Sequence, residues 1–190
     1  RKRFKVSASK CKALATSACG SVFGAGYVIR AVGTASSVHI AIWHHRTDPR
    51  AVRFAGMCST LTEPGTDAVL RVEVELVCSR LGGLGVARML LAAVESHYQY
   101  RLPAGHSLLL ELSSVDSFGA IKAYCGAGYD TEAGGSSFCD VALVTPQSVI
   151  DAQNGRLRGL YDTWHTMMTG KPSESVGGLV PMSKRVGITR

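Results

Sequence analysis

The chain has 190 residues, 46% of them hydrophobic, which excludes disorder throughout and allows a substantial core. No apolar stretch reaches the ~20 residues that a membrane-spanning helix needs, so no membrane partner is expected. The formal net charge of +7 is unevenly placed: Arg1 to Thr62 carry ten Lys or Arg against one acid, whereas Glu63 to Glu132 carry nine acids and five bases.

Three regions are expected: a basic arm and first elements over 1–36, a core over 37–145, and a helix with an extended tail over 146–190. The arm starts R-K-R-F-K-V, without an initiator Met, and reads as a trimmed end. Its Arg, Ser and Ala content resembles an organelle transit sequence. A basic arm points to an anionic partner such as nucleic acid, or to a polyanionic surface in an assembly; a merely solubilising end is equally open. Lys10 to Ser17 reads as an initial strand or arm, and Gly20 to Gly33 is too rich in Gly and Ala to assign.

Val38–His45 and Ala51–Leu61 read as a hairpin around the turn Thr47-Asp48-Pro49-Arg50, with Glu63-Pro64-Gly65-Thr66 as a further turn. Ala68 to Cys78 (A-V-L-R-V-E-V-E-L-V-C) reads as a strand with partial alternation. Val86 to Tyr98 carries apolar residues at 86, 87, 90, 91, 94 and 98, which is helical spacing. A Pro103-Ala104-Gly105 turn follows, then a buried strand over Ser107–Ser114 and a short helix from Phe118 to Ala127 that Gly128 ends. Ser136 to Val144 reads as a last strand. Gln147 to Met168 reads as a helix with a stripe of Val149, Leu157, Leu160, Tyr161, Trp164 and Met168, interrupted at Asn154-Gly155 and stopped by Gly170 and Pro172. Ser173 to Arg190 reads as an extended tail that wraps a neighbour, packs on its own domain or stays disordered.

Six cysteines, at 11, 19, 58, 78, 125 and 139, show no C-x-x-C pair and no zinc spacing. Most sit in apolar context, as buried free thiols do, so a reducing intracellular compartment, cytoplasm or organelle, is expected, with a virion as a further setting. An acyl-cysteine role for Cys78 is weighed against packing, and packing is favoured. His44 and His45 are strand neighbours on opposite faces with no third ligand at suitable spacing, so no metal is expected.

Between the strand ending at Cys78 and the helix starting at Val86 lies Arg80-Leu81-Gly82-Gly83-Leu84-Gly85. A strand feeding a glycine turn feeding a helix leaves amide N–H groups pointing outward, and with the helix dipole these bind phosphate. Glycines at such a turn can equally serve sterics alone. The order fits neither a dinucleotide fingerprint nor a G-K-[ST] loop. Downstream, Ser117 to Tyr129 reads S-F-G-A-I-K-A-Y-C-G-A-G-Y.

Together the two blocks resemble the Gcn5-related N-acetyltransferase family. Arg80, Gly83 and Gly85 match its [RQ]-x-x-G-x-[GA] signature, and Ala120, Tyr124, Gly128 and Tyr129 match N-x-x-A-x-x-x-Y-x-x-x-G-F. Ser117 stands where the family has Asn, and the link from strand to Arg80 is short. The resemblance covers roughly 37–144. It implies a mixed α/β fold, a central mixed sheet with helices on both faces. It also implies acetyl-coenzyme A as cofactor, held by Val77, Cys78, Arg80, Gly82, Gly83, Leu84, Gly85, Val86, Ser117 and Ala120. By the same resemblance Tyr124 is the general acid toward the leaving thiolate.

Base candidates come from the residues themselves. Glu73 and Glu75 share a strand face with Arg71 by period-two spacing. Carboxylates in a helix-covered central strand suggest a cleft, although a solvated edge or an ion pair with Arg71 would also explain them. Glu111 on the next strand is a further candidate. Such carboxylates favour a cationic acceptor, a small amine or a lysine side chain. The expectation is an acetyl-coenzyme-A-dependent N-acetyltransferase of a primary amine. The alternative is the same fold reused, without catalysis, as a structural subunit of a large assembly such as a virion or organellar ribosome.

Overall fold

The computed structural model describes residues 36–44, 52–63, 68–79, 83–115, 117–144, 157–173 and 179–187. The arm, the first strand expected over Lys10–Ser17, the Gly20–Gly33 segment and the Thr47–Arg50 turn lie outside them. The elements are β1 Ser36–His44, β2 Val52–Glu63, β3 Val69–Ser79, α1 Val86–Gln99, β4 Ser107–Ser114, α2 Phe118–Cys125, β5 Glu132–Ala133, β6 Ser136–Ser137, α3 Phe138–Val144, α4 Leu157–Thr169 and β7 Val180–Gly187. This is the mixed α/β class expected from the sequence, a mixed sheet flanked by helices. The chain divides into two compact units, Arg1–Glu63 with Val74–Arg101, and Pro64–Glu73 with Leu102–Arg190.

In the first unit β1 and β2 form the expected antiparallel hairpin, with a register shift between Ala41 and Ile42. β3, whose residues up to Glu73 belong to the second unit and from Val74 to the first, buries Val72, Val74, Leu76 and Cys78 and turns Arg71, Glu73 and Ser79 to solvent, so the partial alternation in the sequence is a real two-sided pattern. α1 buries Val86, Leu90, Leu91, Val94 and Tyr98, five of the six positions picked by spacing. Its far end is tied down by a hydrogen bond of 2.8 Å between the Tyr98 hydroxyl and Thr60 Oγ1. Gly56 of β2 makes the close approach of α1 possible. A Cβ there would stand 2.5 Å from the Cys78 carbonyl oxygen and 2.9 Å from Val86 Cγ1.

In the second unit β4 buries Leu108, Leu109, Leu110 and Leu112, each contributing on the order of 1.5–3 kcal/mol of apolar burial. The segment read as an extended tail supplies β7. It pairs antiparallel with β4 from Ser107↔Gly187 to Ser114↔Val180, and its other edge bridges Asp130 through Ser183. Of the tail's three readings, packing on its own unit is the one observed. α4 starts at Leu157, buries Leu157, Tyr161 and Trp164, and ends at Gly170, whose φ is +68°. The interruption at Asn154-Gly155 lies outside the described residues.

One expected element is corrected. Ser136 to Val144 is not a strand: only Ser136–Ser137 pair, across Gly134-Gly135, with Glu132–Ala133, and Phe138–Val144 is helical. The reason is a cap. Ser137 Oγ accepts the Asp140 amide at 3.1 Å, a serine N-cap in an S-x-x-D sequence. Asp130 Oδ1 also accepts the Cys139 amide at 3.0 Å. These bonds outweigh the strand propensity of the F-C-D-V-A-L-V run.

The thiol expectation is corrected as well. Cys125 and Cys139 form a disulfide, and Cys78 is disulfide-bonded. Among the described residues the free cysteine is Cys58, buried, with burial pushing its thiol pKa up to about 12. Thiol state therefore no longer argues for a reducing compartment, and a bonded Cys78 has no thiolate to carry an acyl group. The Cys125–Cys139 bond spans a sequence separation of 14 and joins the end of α2 to the start of α3. Replacing both cysteines by serine is expected to cost about 3 kcal/mol from loop entropy in the unfolded chain. Urea denaturation of the variant checks this; an unchanged midpoint would show that the bond stabilises nothing.

Candidate functional site: an open glycine turn and a half-buried tyrosine

The first unit contains the glycine turn. Gly83 and Gly85 have φ of +76° and +72°, a left-handed backbone that side chains other than glycine rarely adopt. A Cβ added at either would meet nothing within 4 Å, so the turn faces open space. Gly85 caps α1, accepting the Met89 amide at 3.0 Å, and no side chain caps the helix. The amides of the first turn are therefore available to a ligand. No acid lies in that turn, and the exposed Arg88 does. Helices usually place acids there to complement the dipole. An acid-free, arginine-bearing start is a surface for an oxyanion, and the residues present fit a phosphate group.

Of the residues expected to hold the cofactor in this unit, Leu84 is exposed, Val86 is buried, Val77 is half-buried and Cys78 is buried. Arg80 and Gly82 lie outside the described residues. Arg88 is not among the residues expected from the sequence, although the acid-free first turn that makes it informative is legible there. Glu75 is half-buried and sits on the same strand side as Val77.

The second unit contains the tyrosine block. Ser117 stands at the head of α2 in extended backbone, and its carbonyl accepts the Ile121 amide at 3.0 Å. Its hydroxyl makes no cap hydrogen bond. Ala120 is half-buried one turn into the helix. Gly128, with φ +85°, turns the chain so that the Tyr129 amide reaches back to the Tyr124 carbonyl at 3.0 Å. Lys184 Nζ donates to the Ala127 carbonyl at 2.9 Å and closes this end of α2. Tyr129 is buried, whereas Tyr124 is half-buried, their ring centroids 6.4 Å apart. The A-x-x-x-Y-x-x-x-G-Y pattern thus buries its last tyrosine and leaves the earlier one within reach of solvent. Glu73 is exposed, and Arg71 faces Glu111 at 3.9 Å across the strands. Because both partners are largely solvated, that pair adds little stability.

Two solved structures are similar to parts of this chain. One is Rtt109 from Aspergillus fumigatus, with a TM-score of 0.39, 12% identity, and coverage of 48% of this chain and 30% of that one. The other is the NatC complex bound to Gag peptide and CoA, with a TM-score of 0.39, 19% identity, and coverage of 50% of this chain and 58% of that one. The chain thus spans less than two thirds of either. No family model matches it. No curated protein matches it. Likeness at this level is partial and carries no functional argument.

Proposed function

We propose that the protein is an acetyl-coenzyme-A-dependent N-acetyltransferase acting on a primary amine, a small amine or a lysine side chain. The observation that carries the proposal is the open left-handed turn at Gly83 and Gly85 leading into an uncapped, acid-free helix start. Coenzyme A, when bound, supplies an acetyl group activated as a thioester. The amides at the head of α1 take phosphate oxygens, with Arg88 adding positive charge. Glu73 or Glu75 removes the proton that keeps the acceptor amine cationic, so that the nitrogen lone pair can attack the carbonyl carbon. Tyr124 would hold its hydroxyl proton for the thiolate that acetyl transfer would release from the coenzyme. Ser117, whose hydroxyl is not used in capping, is the residue assigned to the cofactor arm.

Isothermal calorimetry with acetyl-coenzyme A tests this. Arg88→Glu is expected to weaken binding at least tenfold, since it replaces attraction by repulsion beside the phosphates. Tyr124→Phe is expected to lower kcat while leaving cofactor affinity nearly unchanged, as removal of a transition-state proton donor should. Absence of binding at millimolar acetyl-coenzyme A would reject the enzyme and leave the structural-subunit alternative. Equal effects of Tyr124→Phe on affinity and on kcat would reject the proton-donor role.

A further inference from the structure

At the end of α1 opposite the glycine turn, the first unit gathers three basic side chains. His39 of β1 pairs with Cys58 of β2, so it shares the sheet face of Cys58 and Thr60, the face that α1 covers through Tyr98. Its ring meets the His97 ring edge-on, centroids 5.0 Å apart at 88°. The His97 ring in turn meets Tyr98 at 5.0 Å and 80°. Arg101, one turn past His97, hydrogen-bonds His97 Nε2. A guanidinium can only donate, so this bond requires Nε2 to accept, which a neutral His97 ring with its proton on Nδ1 allows and a protonated ring does not. His39 Nε2 is buried without a hydrogen-bond partner.

We propose that His39, His97 and Arg101 form a proton-sensitive latch. At neutral pH it holds the C-terminal end of α1 on β1; on acidification it lets go. A proton on His97 Nε2 would turn donor against donor and set one cation beside another. A proton on His39 would place a charge in a partly buried position next to the same two groups. The remaining described groups on this face do not offset that charge. The Cys58 thiol stays protonated, with a pKa of about 12, and Thr60 and Tyr98 are engaged with each other. Burial first, then His97 and then Arg101 hold the His39 pKa below its ordinary 6.5; burial and then Arg101 do the same for His97. The sign follows from proton uptake. As the pH falls through about 6.5 the unfolded chain binds these protons and the folded one resists, so stability present above that pH is lost below it. The latch does not rest on the acetyl-transfer reading.

The test is hydrogen exchange of the full chain by mass spectrometry at pH 7.5 and 5.0, with times scaled for the intrinsic exchange rate and β4 and β7 peptides as reference. Protection of β1 and the last turns of α1 is expected to fall about tenfold or more at pH 5.0 relative to the reference. His97→Gln keeps an acceptor for Arg101 but takes up no proton, so it should flatten this pH dependence. Equal loss of protection in that variant, or none in the parent chain, overturns the latch. If His97→Gln does not fold at pH 7.5, His39→Asn takes its place: a flattened pH dependence supports the latch, and an equal loss overturns it. Proton NMR of the imidazole rings provides an independent reading: both should titrate below 6.5, and midpoints at or above 6.5 overturn the proposal.

Discussion

Phe138→Ala is expected to destabilise the second unit by about 3–5 kcal/mol, the range for deleting a fully buried aromatic ring. Phe138 is completely buried at the first residue of α3. Its ring meets Tyr161 at 5.2 Å and 88° and Trp164 at 5.3 Å and 50°, and these two meet each other at 5.9 Å. The trio is the seam between α3 and α4, with geometries that aromatic quadrupoles favour. The Arg158 guanidinium lies 5.5 Å from the Tyr161 ring centroid and also donates to Asp162 at 2.8 Å and to the Leu179 carbonyl at 2.5 Å, so the seam extends to the start of β7. Removing the ring leaves a cavity beside Tyr161 and Trp164, and α3, pinned at its start by the Cys125–Cys139 bond, cannot shift far to close it. Guanidinium denaturation followed by circular dichroism reads the loss. A loss under about 1 kcal/mol would mean that the seam carries little of the stability.

Gly56→Val is the corresponding change in the first unit, and it acts by excess volume. The nearest obstruction to a Cβ is the Cys78 backbone carbonyl at 2.5 Å, and the next two are Val86 and Leu90 of α1 at 2.9 and 3.3 Å. Ordinary overpacking costs about 1–3 kcal/mol because side chains can shift. Here the closest atom belongs to the neighbouring strand, and a branched side chain would also lift α1 from the sheet. The expected result is a loss beyond that range, with α1 and β2 amides exchanging at rates near those of the unfolded chain while β4 and β7 remain protected. A variant with wild-type exchange on α1 would show that β2 and β3 have room to part.

Much of the fold is legible in local pattern. The β1–β2 hairpin, the two-sided β3, the α1 stripe and the leucine-rich β4 each follow from a period of two or 3.6 within a dozen residues. The glycine turn is legible for the same reason: Gly83 and Gly85 are required where the chain must take positive φ between a strand and a helix. The corrected elements share a different cause. Phe138 to Val144 has strand-like composition, but the S-x-x-D cap and the Asp130 carboxylate make it helical, and Asp130 is held in place by its bridge to Ser183, more than fifty residues along the chain. The β7 sequence has no hydrophobic period of its own strong enough to name it; it is a strand because β4 offers an edge.

What the sequence determined by itself is the set of elements whose apolar residues recur with a regular period, together with the backbone freedom at the turn that opens α1. Tertiary structure alone decided which cysteines bond, which segment completes the second unit and which histidines face one another. Periodicity acts over a few residues, through side-chain direction on one helix or strand. Cys125 with Cys139, β4 with β7, and His39 with His97 are choices between distant segments, and they are settled only when burial of the regular elements brings those segments to the same place.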